Sequence, residues 1–95
     1  MNFEWDEDKR ESNIKKHGID FVSVISVFDD PNAIEAYDYL HSTNENRYQI
    51  IGQARPGIVF VVYTERDEGD TIRLISARRA ERSEIAKYRS YKRGL

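Results

Sequence analysis

Six consecutive residues, Ile58-Val59-Phe60-Val61-Val62-Tyr63, form the most apolar run of this chain, and all are β-branched or aromatic. Such a run reads as a strand, and as the central one of a sheet. The remaining sequence must then supply partner strands and a covering layer. Ala33–Tyr39 and Glu45–Ile51 are the candidates before it, with Gly52-Gln53-Ala54-Arg55-Pro56-Gly57 as the connection. After the polar ERDEGD turn, Thr71–Ala77 alternates again: Ile72, Leu74 and Ser76 share one face, and Arg73, Ile75 and Ala77 the other.

Helices flank this sheet. Phe3-Glu4-Trp5 is a short opening strand, and Asp6 after it is suited to cap a helix. Glu7 and Asp8 follow where a helix start favours anions, and Lys15, Lys16 and His17 fall where its end favours cations. Gly18 suits the position just beyond, so DEDKRESNIKKHG reads as about three turns. Ile14 is the only large aliphatic residue in it, so this helix belongs on the surface. Phe21, Val24, Ile25 and Phe28 then repeat at helical spacing, capped by Asp20 and ended by Asp29-Asp30-Pro31. From about Ala80, Glu81, Ile85, Tyr88 and Lys92 fall on one stripe of a final helix. The order β-α-α-β-β-β-β-α describes an α+β fold with a meander at its centre, expected as one domain over residues 1–95.

Composition excludes several classes. With no cysteine there are no disulfides and no thiolate metal sites. His17 and His41 are the only histidines and nothing resembles HExxH, which leaves scattered carboxylates as the one way to hold a metal. No stretch approaches the roughly 20 apolar residues of a membrane span. The opening MNFEWDEDKR has acids where a secretory signal needs a basic and then an apolar region, so a cytoplasmic protein is expected.

The net charge of −2 hides a division. Residues 1–72 carry seven Lys or Arg against fifteen Asp or Glu, whereas residues 73–95 carry eight against two. A basic end on an acidic body meets nucleic acid, an acidic partner or its own acidic surface. Within that end, Arg73, Arg78 and Arg79 lie on or just beyond a strand, and guanidinium forks match phosphate oxygens. Their bland alternative is pairing with the carboxylates of the body. Tyr91, among Arg89, Lys92 and Arg93, suits stacking on unpaired bases, while Tyr88 lies on the stripe that packs inward. Histidine's ordinary pKa of about 6.5 makes His17 the natural proton carrier, although the helix dipole alone accounts for cations at that position.

Taken in order, FEWDEDKRESNIKKHGIDF, VFDD, ENRYQIIG, VVYTER and IRLISARRAERSEIAKY resemble BrnT-like toxins, the ribonuclease half of bacterial type II toxin–antitoxin pairs. The resemblance covers nearly the whole chain. It implies a RelE-like fold with two N-terminal helices, a mainly antiparallel sheet and a C-terminal helix. It implies a metal-independent ribonuclease with no cofactor that cleaves single-stranded or messenger RNA and inhibits translation. It further implies a BrnA-like antitoxin as partner, with operator DNA reached only through the complex.

Residue by residue, Lys16-His17-Gly18 match the family's Lys-His-Gly segment, Arg66 its strand-closing arginine, and Arg78 the first arginine of the ISAR box. Arg79 matches a position held by Lys or Arg, and Glu45 and Arg47 match a central E-x-R pair. His17 is accordingly assigned as base or acid, Lys16 as phosphate contact or alternate proton donor, and Arg66 and Arg78 as clamps on the scissile phosphate. Lys15, Arg79, Arg82 and Tyr91 are assigned to flanking RNA. The assignment requires His17, Arg66 and Arg78 to converge on one surface. Its rival is a non-catalytic binding module whose basic end grips an antitoxin or operator DNA, and a third possibility is an inactive relative that only pairs with a partner.

Overall fold

The structure, a computed structural model, describes the backbone of residues 1–93 and the side chains of residues 1–91. Its elements run β1 (Asn2–Glu4), α1 (Glu7–His17), α2 (Phe21–Val24), a 3-10 segment (Ile25–Asp29), β2 (Ile34–Tyr37), β3 (Tyr48–Ala54), β4 (Gly57–Arg66), β5 (Thr71–Arg79) and α3 (Arg82–Arg93). The sheet order is β1-β5-β4-β3-β2. β2 to β5 form an antiparallel meander, and β1 joins parallel to β5. This is the α+β class expected, with the apolar run of β4 at the sheet's centre.

One face of the sheet carries the core. Ile50, Val59, Val61, Tyr63, Ile72, Leu74 and Ala77 meet Ile19, Phe21, Val24 and Val27 from the helical layer, all buried. The helix predicted over Phe21–Phe28 forms in two parts, tightening to 3-10 geometry at Ile25. Among the described residues, no helix is long and apolar enough to cross a membrane.

Two expectations about the strands need correction. Gly52-Gln53-Ala54 is strand, not connection, and only Arg55 and Pro56 separate β3 from β4. Gly52 is there for close approach: a Cβ would meet Val27, Asp30 and Ala33 at 3.0 Å. β5 carries a bulge opposite Val62/Tyr63, which makes Ile75 an extra residue. Ala77 therefore joins Leu74 on the core face, and Ser76 pairs with Val62 on the opposite face.

The final helix begins as its sequence suggests. Glu84 accepts from the backbone N–H of Glu81 at 2.7 Å, closing a capping interaction. Tyr88 is buried, and its hydroxyl donates to Asp30 at 2.7 Å; burial and that carboxylate push its pKa up to about 12. Lys92, the last residue of the expected stripe, lies outside the described side chains.

Arg10 ties the first two helices together. Its guanidinium donates to both oxygens of Asp20 at 2.8 and 2.9 Å, while Asp20 caps α2 through the Val22 N–H. The Arg10 hydrogen bonds hold the Asp20 carboxyl below its ordinary range, against the effect of burial. A lowered folded-state pKa stabilises the fold above the unfolded value, and this contribution is lost as pH falls through the folded one. The melting temperature of wild type is expected to exceed that of Asp20→Asn at neutral pH, and the margin to shrink below about pH 4. Thermal melts followed by circular dichroism across that range check it. A margin independent of pH would remove the pair's electrostatic role.

Candidate functional site

Asn13 decides where the end of α1 sits. It is the buried residue of that helix, and its amide makes three hydrogen bonds to backbone. Nδ2 donates to the carbonyls of Ile19 at 2.9 Å and Ala77 at 2.7 Å, and Oδ1 accepts from the Ala77 N–H at 3.0 Å. β1 covers β5 only as far as Arg73, so Ala77 lies on the uncovered stretch of that edge. The asparagine amide there takes the place of a neighbouring strand. Gly18 then ends the helix at φ 68°, its N–H bonded to the Ile14 carbonyl at 2.8 Å.

This clamp brings the last turn of α1 against β5 beside the bulge. A pocket of about 230 Å³ opens there, lined by Lys9, Ser12, Asn13, Lys16 and His17 of α1, Ile75 and Ser76 of β5, and Arg47. No carboxylate is among these lining residues. Two predicted residues, Lys16 and His17, thus meet in one concavity with a cation from a distant loop. Arg47 is held by its backbone: its N–H donates to Ser42 Oγ at 2.9 Å and its carbonyl accepts from Asp38 N–H at 2.8 Å. Its Nε is buried without a hydrogen bond among the described residues and lies 3.7 Å from Glu45 Oε1. Matching Arg47 to a motif did not assign it to the site, because its nearness to His17 depends on the sheet's register.

The arginines are spread along the same sheet face. Ser76 pairs with Val62, Arg78 with Phe60 and Arg73 with Thr64, all alternating with core positions. Arg78 stacks over Phe60 with its guanidinium carbon 4.2 Å from the ring centroid. It also donates to both oxygens of Glu84 at 2.8 and 2.9 Å and approaches Glu81 at 3.5 Å. Burial disfavours the Glu84 charge, yet Arg78 and the Glu81 N–H hold its carboxyl below the ordinary range. Arg66 and Arg73 share Glu4, at 3.6 and 2.6 Å.

The expected clamp of Arg66 and Arg78 on one phosphate does not form. Arg66 sits opposite Thr71 at the turn end of the hairpin, and Arg78 opposite Phe60 toward its other end. At about 3.3 Å per residue, their backbones are roughly 20 Å apart. Ser76 and the pocket lie between them. Of the remaining predicted residues, Lys15, Arg82 and Tyr91 are exposed, and Arg79 donates to the Pro56 carbonyl at 2.8 Å. His41 lies within 2.9 Å of Asp38, whose N–H bonds the Arg47 carbonyl, and is not among the residues lining the pocket. Among the described residues, no three His, Asp or Glu side chains gather as a metal site.

The family model described as the ribonuclease toxin BrnT of type II toxin–antitoxin systems matches residues 5–84. The chain belongs to the BrnT family. The matched span contains every residue lining the pocket and both partners of the Arg78–Glu84 pair. It leaves out β1 and most of α3, including Tyr91. Membership makes this BrnT chain one of a class of ribonuclease toxins. No curated protein matches it.

Proposed function

We propose that the protein is a metal-independent endoribonuclease toxin whose reaction is centred on the pocket between α1 and the β5 bulge. The observation that carries this reading is the meeting of His17, Lys16, Lys9 and Arg47 in a concavity with no carboxylate among its described lining residues. An unpaired RNA strand supplies its own nucleophile, the 2′-hydroxyl. His17 takes that proton as oxygen bonds to phosphorus, and the bond to the 5′-oxygen breaks. Lys16 stands beside it to give a proton to the departing oxygen, and Arg47 faces the charge that develops on the non-bridging oxygens. The products are a 2′,3′-cyclic phosphate and a 5′-hydroxyl. Arg66 and Arg78 hold different phosphates on either side, since they cannot share one. Arg79, Arg82, Lys15 and Tyr91 extend the contact outward.

The proposal carries the rest of the family's setting with it: a RelE-like topology in a single domain over residues 1–95, action in the cytoplasm, a BrnA-like antitoxin and operator DNA reached through that complex. The test is incubation of antitoxin-free protein with single-stranded RNA in EDTA. Fragments ending in 2′,3′-cyclic phosphate are expected, and Lys16→Ala is expected to slow their appearance by about tenfold or more. Folded wild type that leaves RNA intact would overturn the enzymatic reading. A second reading, a non-catalytic binding module acting in operon autoregulation, is favoured by one feature: Arg78 is already engaged by two carboxylates.

A further inference from the structure

The opposite face of the sheet holds a second concavity of different chemistry. Near the end of the 3-10 segment, a groove of about 410 Å³ is lined by Phe28, Tyr37, Tyr48 and Tyr63 together with Glu35 and Glu65. Its rings support one another: Tyr48 stacks on Tyr63 at 5.6 Å between centroids, and Tyr37 meets Tyr48 edge-on at the same distance. Phe28 meets Tyr63 edge-on at 5.0 Å. Tyr39, 85% exposed, packs edge-on against Tyr37 at 4.7 Å, and Leu40 beside it is equally exposed. These rings form an aromatic wall with apolar surface continuing beyond it.

The charged side chains lining the groove are both carboxylates, and Met1 lies at its wall as well. Glu35 and Glu65 are both exposed side chains at its wall, and neither has an ion pair among the described residues. Tyr63 donates to Glu35 at 3.4 Å. Burial, and then the negative charge of Glu35 and Glu65, push the Tyr63 phenol well up, so both carboxylates act on the same ring. Faces of tyrosine rings flanked by carboxylates attract a cation and repel a phosphate.

The groove also adjoins an open strand edge. Among the described residues β2 pairs with β3 alone, and none of them adds a strand to its other edge. Glu35 and Tyr37 alternate on the groove side, opposite Ile50 and Tyr48 of β3. A segment added along β2 would place every second side chain over that same face.

We propose that this groove and the free edge of β2 form a docking site for an extended, basic segment of a partner protein. One arginine or lysine of that segment enters the tyrosine groove between Glu35 and Glu65. The site lies on the face opposite Ser76 and Arg78, so its occupant and a bound RNA do not compete for the same surface.

The probe is the blocked peptide Val-Thr-Arg-Thr-Val, titrated into the full chain and followed by amide and tyrosine NMR signals. Shifts are expected at Ile34–Tyr37, Tyr48 and Tyr63, with Lys16 and His17 unmoved. Norleucine in place of arginine is expected to weaken binding roughly tenfold, and glutamate to abolish it. The double substitution Glu35→Gln with Glu65→Gln should weaken the arginine peptide by a similar factor while melting is unchanged, since both side chains are exposed. Equal binding of the norleucine peptide would overturn the proposal, as would a short RNA oligomer that shifts the same tyrosines. Self-association through β2, with no peptide shifts, would assign the edge to a second copy and overturn it too.

Discussion

Asn13→Ala is expected to destabilise the fold by roughly 3 kcal/mol, because the truncation orphans backbone groups that are buried. The residue is 6% exposed, and its side chain serves the Ile19 carbonyl and both backbone groups of Ala77. Each abandoned group costs about 1–3 kcal/mol where water cannot replace the lost partner. Removing atoms at the sheet edge lets some water in, so the lower part of the summed range applies. In a chain of this size a loss of about 3 kcal/mol lowers the melting temperature by roughly 12–24 °C. Asn13→Asp separates shape from hydrogen bonding. It can still accept from the Ala77 N–H but would turn a carboxylate toward two carbonyls, so it should be no more stable than alanine near neutral pH. Denaturant melts of the three proteins decide it. A cost below about 1 kcal/mol for alanine would mean that α1 is held to β5 by something other than this amide.

That residue also marks how far the sequence could be read. Asp6 and Gly18 were legible as the ends of α1 because capping is local chemistry: Asp6 bonds the N–H groups of Asp8 and Lys9, and Gly18 alone reaches the left-handed turn easily. The apolar run of β4 announced the centre of the sheet for a similar reason. Asn13, two residues before the lysines, carried no such signal. Its partner Ala77 is 64 positions away, and an asparagine on a polar helix reads as surface.

The strands show a further limit. Gly52 looked like a turn residue, but its glycine serves the packing of Val27 and Ala33 against β3. The bulge at Ile75 leaves no mark in composition, yet it exchanges the faces expected for Ser76 and Ala77. The pocket depends on that exchange, because Ser76 lines it together with Arg47, whose approach also depends on strand register. Arg66 and Arg78 fell into one imagined clamp because each ends a recognisable motif. The hairpin between them sends those ends in opposite directions.

His17→Ala and Arg78→Ala are therefore expected to fail differently in RNA cleavage. If His17 carries the proton, its loss should lower kcat by about 10²–10⁴ with little change in KM. The histidine is exposed at the end of a helix, so alanine there should leave the fold intact. Arg78 lies outside the pocket and must exchange Glu84 for a phosphate before it can hold RNA. Its removal should mainly raise KM, by about tenfold, and reduce the slope of log affinity against log salt by about one. Glu84→Gln sharpens the comparison. It would leave Arg78 without its bidentate ion pair, tightening RNA binding, while the glutamine oxygen can still accept from the Glu81 N–H at the start of α3. Single-turnover cleavage and binding titrations at several salt concentrations separate these effects. If Arg78→Ala instead abolishes kcat while His17→Ala cleaves normally, the reaction centre belongs beside Phe60, with Arg78 stabilising the transition state directly.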